Sequence, residues 1–158
     1  KGSVVRITLP VRVDEAQSKE SEDTAWSMPD NIAGMRVLLV EDNEINCEIV
    51  EYILRDADVE VVTAGDGKAA VDAFMAAEPG TFDCVLMDLM MPVMSGYEAA
   101  RVIRGMDRRD AKAVPIIALS ANAFDEDIAM AKAAGMNEHL AKPVDIRKMF
   151  QAMSRLRG

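Results

Sequence analysis

The sequence predicts an α/β protein: a doubly wound, five-stranded parallel sheet with helices on both faces. Two observations carry that prediction. From Met35 onward, short strand-like runs alternate five times with apolar residues at helical spacing. Parallel neighbours require crossover connections, and helices of that length supply them. In addition, four of the runs end on polar groups: Val37-Leu38-Leu39-Val40 on Glu41-Asp42, Cys84-Val85-Leu86-Met87 on Asp88, Ile116-Ile117-Ala118-Leu119 on Ser120, and His139-Leu140-Ala141 on Lys142-Pro143. If the strands are parallel, these side chains converge on the carboxyl edge of the sheet, where ligands bind in open α/β folds.

Taken in order, Val5, Ile7, Leu9, Val11 and Val13 alternate with Arg6, Thr8, Pro10 and Arg12, the pattern of a strand with one buried face. It has no hairpin partner nearby, so it either closes a preceding domain or adds to an edge of the α/β domain. Residues 14–34 are rich in Glu, Asp and Ser and read as an acidic linker, with Trp26 a local anchor onto a domain surface. After the first strand, Asn43 caps a helix whose apolar residues are Ile45, Ile49 and Ile53 with Val50 and Leu54. Residues 60–64 alternate as a less buried second strand, and Val71, Phe74 and Met75 form a second helix face ended by Pro79-Gly80. The third strand delivers Asp88, and Pro92 prevents its continuation. Ala99, Val102, Ile103 and Met106 mark a third helix. Asp125 is expected to cap a fourth, with Ile128, Met130, Ala131 and Ala134, closed by Gly135. Asp145 caps the fifth, with Ile146, Met149, Phe150 and Met153.

The 158 residues suffice for one domain of about 120 residues plus a tail. A formal charge of -9, from 18 basic and 27 acidic residues, argues against direct nucleic-acid binding. Cys47 and Cys84 fall in an expected helix and strand and are read as reduced, buried fillers; a disulfide or metal ligation is the weaker reading. No apolar run approaches the roughly 20 residues of a membrane span, and no signal peptide is evident. The expectation is a soluble fragment without membrane contact, cut from a longer protein because it starts at Lys1 rather than at Met.

If Glu41, Asp42 and Asp88 meet, their charges repel by several kcal/mol at intermediate dielectric unless a cation neutralises them. A hard divalent ion, Mg2+ by preference, takes one or two carboxylates and then accepts a phosphoryl oxygen. The plainer alternatives are that Glu41 and Asp42 only cap the first helix and that Asp88 only caps the following turn. Lys142 can pair with an acid in the empty site and with phosphoryl oxygen in the filled one, while Ser120 adds a hydroxyl donor. Positioning and charge neutralisation are most of what in-line attack by Asp88 on phosphorus needs. No glycine-rich phosphate cradle and no Ser-His-Asp arrangement is present, so ATP binding or acyl transfer is not expected in this domain.

Glu41-Asp42-Asn43, Asp88 with Met91-Pro92 and Gly96, Ser120-Ala121-Asn122-Ala123 and Lys142-Pro143 together resemble the receiver domain of bacterial two-component signalling, over residues 35–156. The resemblance implies the flavodoxin-like strand order 2-1-3-4-5 and a receiver domain at 35–158. It implies that Asp88 is the phosphoacceptor, modified to aspartyl phosphate, that Asp42 and Asp88 hold Mg2+ with the Met90 carbonyl, and that Glu41 completes the acidic pair. It also implies that Ser120 is the switch hydroxyl and Lys142 the phosphate-binding lysine, its bond to Pro143 cis. Such a domain catalyses its own phosphotransfer and dephosphorylation and repacks the face of the fourth helix, fifth strand and fifth helix, through which homodimers also form.

Two positions depart from the family pattern. His139 stands where a switch Tyr or Phe is usual and is expected as a half-exposed edge-strand residue able to rotate inward; a pH-sensitive switch is the sharper alternative. Ser95 replaces a common Asp before Gly96 and is read as loop variation without mechanistic weight. Residues 1–13, with Lys1-Gly2-Ser3 and Leu9-Pro10, resemble the last strand of a truncated histidine-kinase ATP-binding domain. Together these resemblances imply the carboxyl-terminal part of a hybrid sensor histidine kinase, cytoplasmic, its parent chain anchored in the inner membrane. Its partners would be the kinase's own dimerisation and phosphoacceptor domain and a histidine-phosphotransfer protein. Two rivals stand beside it: a degenerate receiver serving only for docking, and a haloacid-dehalogenase-like phosphatase. The latter needs a second acid two residues after the nucleophile, where this chain has Met90.

Overall fold

The structure, a computed structural model, describes residues 26–158. The alternating segment of residues 1–13 and most of the acidic segment lie outside the described residues. A short 3-10 turn, Asp30–Ile32, leads into β1 Arg36–Val40, α1 Glu44–Asp56, β2 Glu60–Ala64, α2 Gly67–Ala76, β3 Cys84–Asp88, α3 Gly96–Gly105, α4 Arg109–Ala113, β4 Ile116–Ser120, α5 Asp125–Ala133, β5 Glu138–Ala141 and α6 Ile146–Arg157. The five strands pair in parallel in the order β2-β1-β3-β4-β5. The sheet and strand order are those expected.

Alternation along the central strands divides the core in two. Leu38, Val40, Val85, Met87, Ile116 and Ala118 face α2, α3 and α5, whereas Val37, Leu39, Leu86, Ile117 and Leu119 face α1 and α6. Every residue of β3 and β4 is buried, which is why these strands read as continuous apolar runs, while edge strand β2 is partly exposed. Helix starts follow their sequence signals at Asn43 and Asp145, whose side chains accept from backbone N–H groups of α1 and α6, and Asp66 does the same for α2.

Several elements differ from expectation. On α1, Val50 and Leu54 are buried but Ile45 and Ile49 are 68% and 54% exposed. Positions 45 and 49 are rotated by about 100° to 180° from 50 and 54, too far round the helix to share one buried face. Met75 lies outside for the same reason, one position beyond buried Phe74. Asp125 is not a cap but the first residue of α5; Phe124 holds the cap position without a side-chain bond. The five-residue α4 was not expected, being too short to show periodicity. The end of the supposed linker also belongs to the fold, since Ile32 is fully buried against the α1 and α6 side of the sheet; Trp26 is the expected anchor, stacking on Phe150.

Candidate functional site

Because the strands are parallel and nearly in register, their carboxyl ends form one rim. Asp88 ends β3 and Ser120 ends β4, one residue beyond Leu119, the register partner of Asp88. Glu41 and Asp42 follow β1, and Lys142 follows β5. Lys142 Nζ donates to Glu41 Oε2 at 2.6 Å and to Asp88 Oδ2 at 2.9 Å, joining residues 101 and 54 positions apart in sequence. Oxygens of Glu41, Asp42 and Asp88 all lie within 4.8 Å of one another. Glu41, Asp88 and Ser120 are buried and Asp42 is exposed, so one carboxylate opens the acidic cluster to solvent. Three oxygens at that spacing with one open side suit a hard divalent cation that keeps waters, such as Mg2+.

The two plainer roles for these acids fare differently. Asn43, not Glu41 or Asp42, caps α1; Glu41 Oε1 accepts from the Asn43 N–H at 3.2 Å. Asp88 does brace the turn after β3, since Oδ1 accepts from the Met90 N–H at 3.2 Å, yet its other oxygen faces Lys142. Burial pushes the Asp88 carboxyl above its ordinary range, and neighbouring Glu41 adds to this against the opposing pull of Lys142. Burial works against the Lys142 ammonium too, but its hydrogen bonds to Glu41 and Asp88 outweigh that and hold its pKa above the usual lysine value. A cation at the three acids would relieve the mutual repulsion and free Lys142 to turn to another anion.

The loop after Asp88 is pinned closely. Gly96 N–H donates to the Leu89 carbonyl at 3.0 Å, and a Cβ at Gly96 would lie 2.1 Å from the Asp88 carbonyl oxygen, so only glycine fits. Ser95, expected to be without weight, starts α3 with a capping box: its side chain accepts from the Glu98 N–H while Glu98 Oε2 accepts from the Ser95 N–H at 2.9 Å. Met90 leaves its side chain 74% exposed.

At the opposite side of the rim, the Ser120 hydroxyl donates to the Asn122 carbonyl, and His139 Nε2 lies 2.7 Å from Ser120 Oγ. A serine has one proton; with it directed at Asn122, Nε2 is the donor in the second bond. His139 therefore already points inward at Ser120. The contribution of the Asn122 carbonyl was not legible, because a backbone acceptor leaves no mark in residue identity.

A family model described as the response regulator receiver domain matches residues 37–154. This chain belongs to the response-regulator receiver family. Among solved structures, this receiver is similar to the receiver domain of sensor histidine kinase PA1611 from Pseudomonas aeruginosa PAO1, described with a magnesium ion coordinated in its active-site cleft. The identity is 39% and the TM-score 0.71, covering 80% of this chain and 99% of that one. It also resembles the receiver domain of Ssk1, solved with the histidine phosphotransfer protein Ypd1 of Saccharomyces cerevisiae, at 30% identity and TM-score 0.70, covering 79% and 90% of the two chains. The peroxide stress-activated histidine kinase mak1 of Schizosaccharomyces pombe is 36% identical over 138 residues, which are 85% of this chain and 8% of mak1. The receiver thus spans a small part of the curated relatives it matches, between 8% and 22% of their length in mak1 and the Xanthomonas campestris protein RpfC. Among the described residues, no helix is long and apolar enough to cross a membrane.

Proposed function

We propose that this receiver accepts a phosphoryl group from a phosphohistidine onto Asp88 and later loses it to water or passes it on. One observation carries the proposal: a lysine, Lys142, bridges a buried aspartate and a buried glutamate beside a third, solvent-open acid at a single strand rim. An Asp88 oxygen attacks phosphorus, the P–N bond to the donor imidazole breaks, and the imidazole leaves with the electron pair and takes up a proton; the product is an acyl phosphate. Lys142 releases Asp88 and takes a phosphoryl oxygen, and Ser120 turns its hydroxyl from Asn122 to another. Asp42, Asp88 and the Met90 carbonyl, with Glu41 behind them, are the groups that would hold Mg2+, which supplies charge neutralisation at phosphorus when bound. His139, by donating to Ser120 Oγ, leaves the serine proton free for the phosphoryl group and links the site to β5.

A docking place lies beside the site. The exposed Ile49 of α1 and Ile146 at the start of α6 border a groove of about 180 Å³ that reaches Glu41 and Lys142. An amphipathic helix presenting its histidine would lie there, as a kinase phosphoacceptor domain or a histidine-phosphotransfer protein offers. The complex of Ypd1 with the Ssk1 receiver supports the second partner. The histidine-kinase relatives and the alternating pattern of residues 1–13 support the finer reading: a cytoplasmic receiver in a hybrid sensor kinase, its parent chain anchored in the inner membrane and its ATP-binding domain ending just before the acidic segment. A homodimer through α5, β5 and α6 fits the same scheme.

Incubation with Mg2+ and acetyl phosphate followed by intact-protein mass spectrometry tests the proposal. Wild type should gain one phosphoryl mass and Asp88→Asn none. A wild type that gains nothing, from acetyl phosphate or from a phosphorylated histidine donor, would be a docking module instead.

A further inference from the structure

We propose that residues 26–34 form a strap that couples the phosphorylation pocket to the chain preceding the receiver; this rests on the phosphorylation of Asp88 proposed above. Arg147, Phe150, Ser154 and Arg157 lie on one face of α6, and this segment engages all four. Trp26 stacks on Phe150 with ring centroids 6.2 Å apart and planes at 12°, and Arg147 Cζ lies 5.8 Å from the Trp26 ring centre. Asn31 Nδ2 donates to the Ser154 carbonyl at 3.1 Å, Ser154 Oγ donates to Asn31 Oδ1 at 2.7 Å, and Arg157 donates to the Asn31 and Ala33 carbonyls. Ile32 is fully buried beneath these contacts. An acidic spacer would need none of them.

The helix so clasped is the one after the phosphate-binding lysine. Only Pro143 and Val144 separate Lys142 from Asp145, whose side chain caps α6 by accepting from the Lys148 N–H at 3.1 Å. Trp26 meets α6 at its first turns, since Phe150 is about 6 Å along the axis from Ile146. Phosphorylation adds charge and oxygens outside the present position of the Asp88 carboxylate, so Lys142 must exchange a buried carboxylate for a more exposed partner. The short link carries that movement to the first turn of α6, where Trp26 and Arg147 rest. A strap whose contacts differ between the two positions of α6 biases the pocket as strongly as the pocket biases the strap. The chain before residue 26 is thereby placed to feel whether Asp88 is modified.

Trp26 is the one tryptophan of the chain, so its fluorescence reports the strap directly. With the full chain, Mg2+ and beryllofluoride as the probe, fluorine NMR follows binding at Asp88 while tryptophan emission is recorded. Emission should change on binding in wild type and stay constant in Asp88→Asn. By reciprocity, Trp26→Ala should alter beryllofluoride affinity about fivefold, while Trp26→Phe, which keeps the stacking, should remain close to wild type. Bound beryllofluoride with unchanged emission and an unchanged affinity in Trp26→Ala overturns the coupling and leaves phosphorylation of Asp88 standing. Absence of any fluorine signal from bound wild type overturns the phosphorylation proposal and the coupling with it.

Discussion

Asp88 and Ser120 end neighbouring strands, one residue apart in register, yet the chain beyond them is held in different ways. After Asp88 the loop is tied three times: Gly96 N–H to the Leu89 carbonyl, Gly67 N–H to the Met94 carbonyl at 3.2 Å, and the Ser95–Glu98 capping box. After Ser120 the chain runs to α5 through Phe124, a cap residue with no side-chain bond and 67% exposed, and α5 buries only Ala131. Local opening requires few contacts to break, so the β4–α5 side is the one able to move. Asp88, the proposed nucleophile, and the acids that suit a metal need fixed distances and stand on the tied side, whereas Ser120, whose hydroxyl is proposed to turn, stands on the loose side.

The largest effect should come from disturbing the tied side at its closest approach. Gly96→Ala, which drives a methyl into the Asp88 carbonyl, should cost about 3 kcal/mol in urea denaturation. Asn122→Ala, which keeps the backbone carbonyl that Ser120 uses, should cost no more than about 0.5 kcal/mol. Similar costs for the two would erase the contrast.

Next is a pH signature at the base of β3. Burial pushes the Cys84 thiol from 9.0 up to about 12. Between those values the unfolded chain loses a proton that the folded chain keeps, so stability falls as pH rises, by about 1.4 kcal/mol per unit. Denaturation at pH 10 and 11, where the unfolded thiol is mostly ionised, should approach that slope for wild type and show a shallower one for Cys84→Ala; equal slopes would mean that water reaches β3.

Capping offers a smaller, two-sided comparison. Ser95→Ala removes the box from α3 and should lower stability by about 1 kcal/mol, a few degrees in Tm. Phe124→Ser supplies the cap that α5 lacks and should raise it by about 0.5 kcal/mol. A loss at Phe124 would show that the exposed ring contributes to holding α5. A change no larger is expected from His139→Phe, which retains a ring but removes the bond to Ser120: within about 0.5 kcal/mol in stability, with faster amide exchange at residues 120–122 as the readout. Unchanged exchange would leave the histidine bond without influence on the loop.

Strand identity and order of elements were legible because both come from short-range pattern. The runs of β3 and β4 are apolar throughout, having helices on both faces, and Asn43 and Asp145 mark helix starts with groups that bond only three residues away. The rim residues were legible for a related reason: a parallel sheet forces strand ends together whatever lies between them, which is how Glu41, Asp88 and Lys142 could be expected in one place. Which apolar residues stay outside was not legible. Ile45 and Val50 are alike in hydropathy, and only the position of α1 against the sheet separates them.

The sequence by itself determined the alternation of strands and helices, the edge on which polar groups collect, and the chemical types found there, since these depend on local propensity and the period of burial. Tertiary structure alone decided that His139 reaches Ser120 and that Asn31 meets Ser154 across 123 residues of chain. Such contacts depend on side-chain directions after packing, and for Asn31 and Ser154 on two distant segments that the fold brings together, so no local pattern announces them.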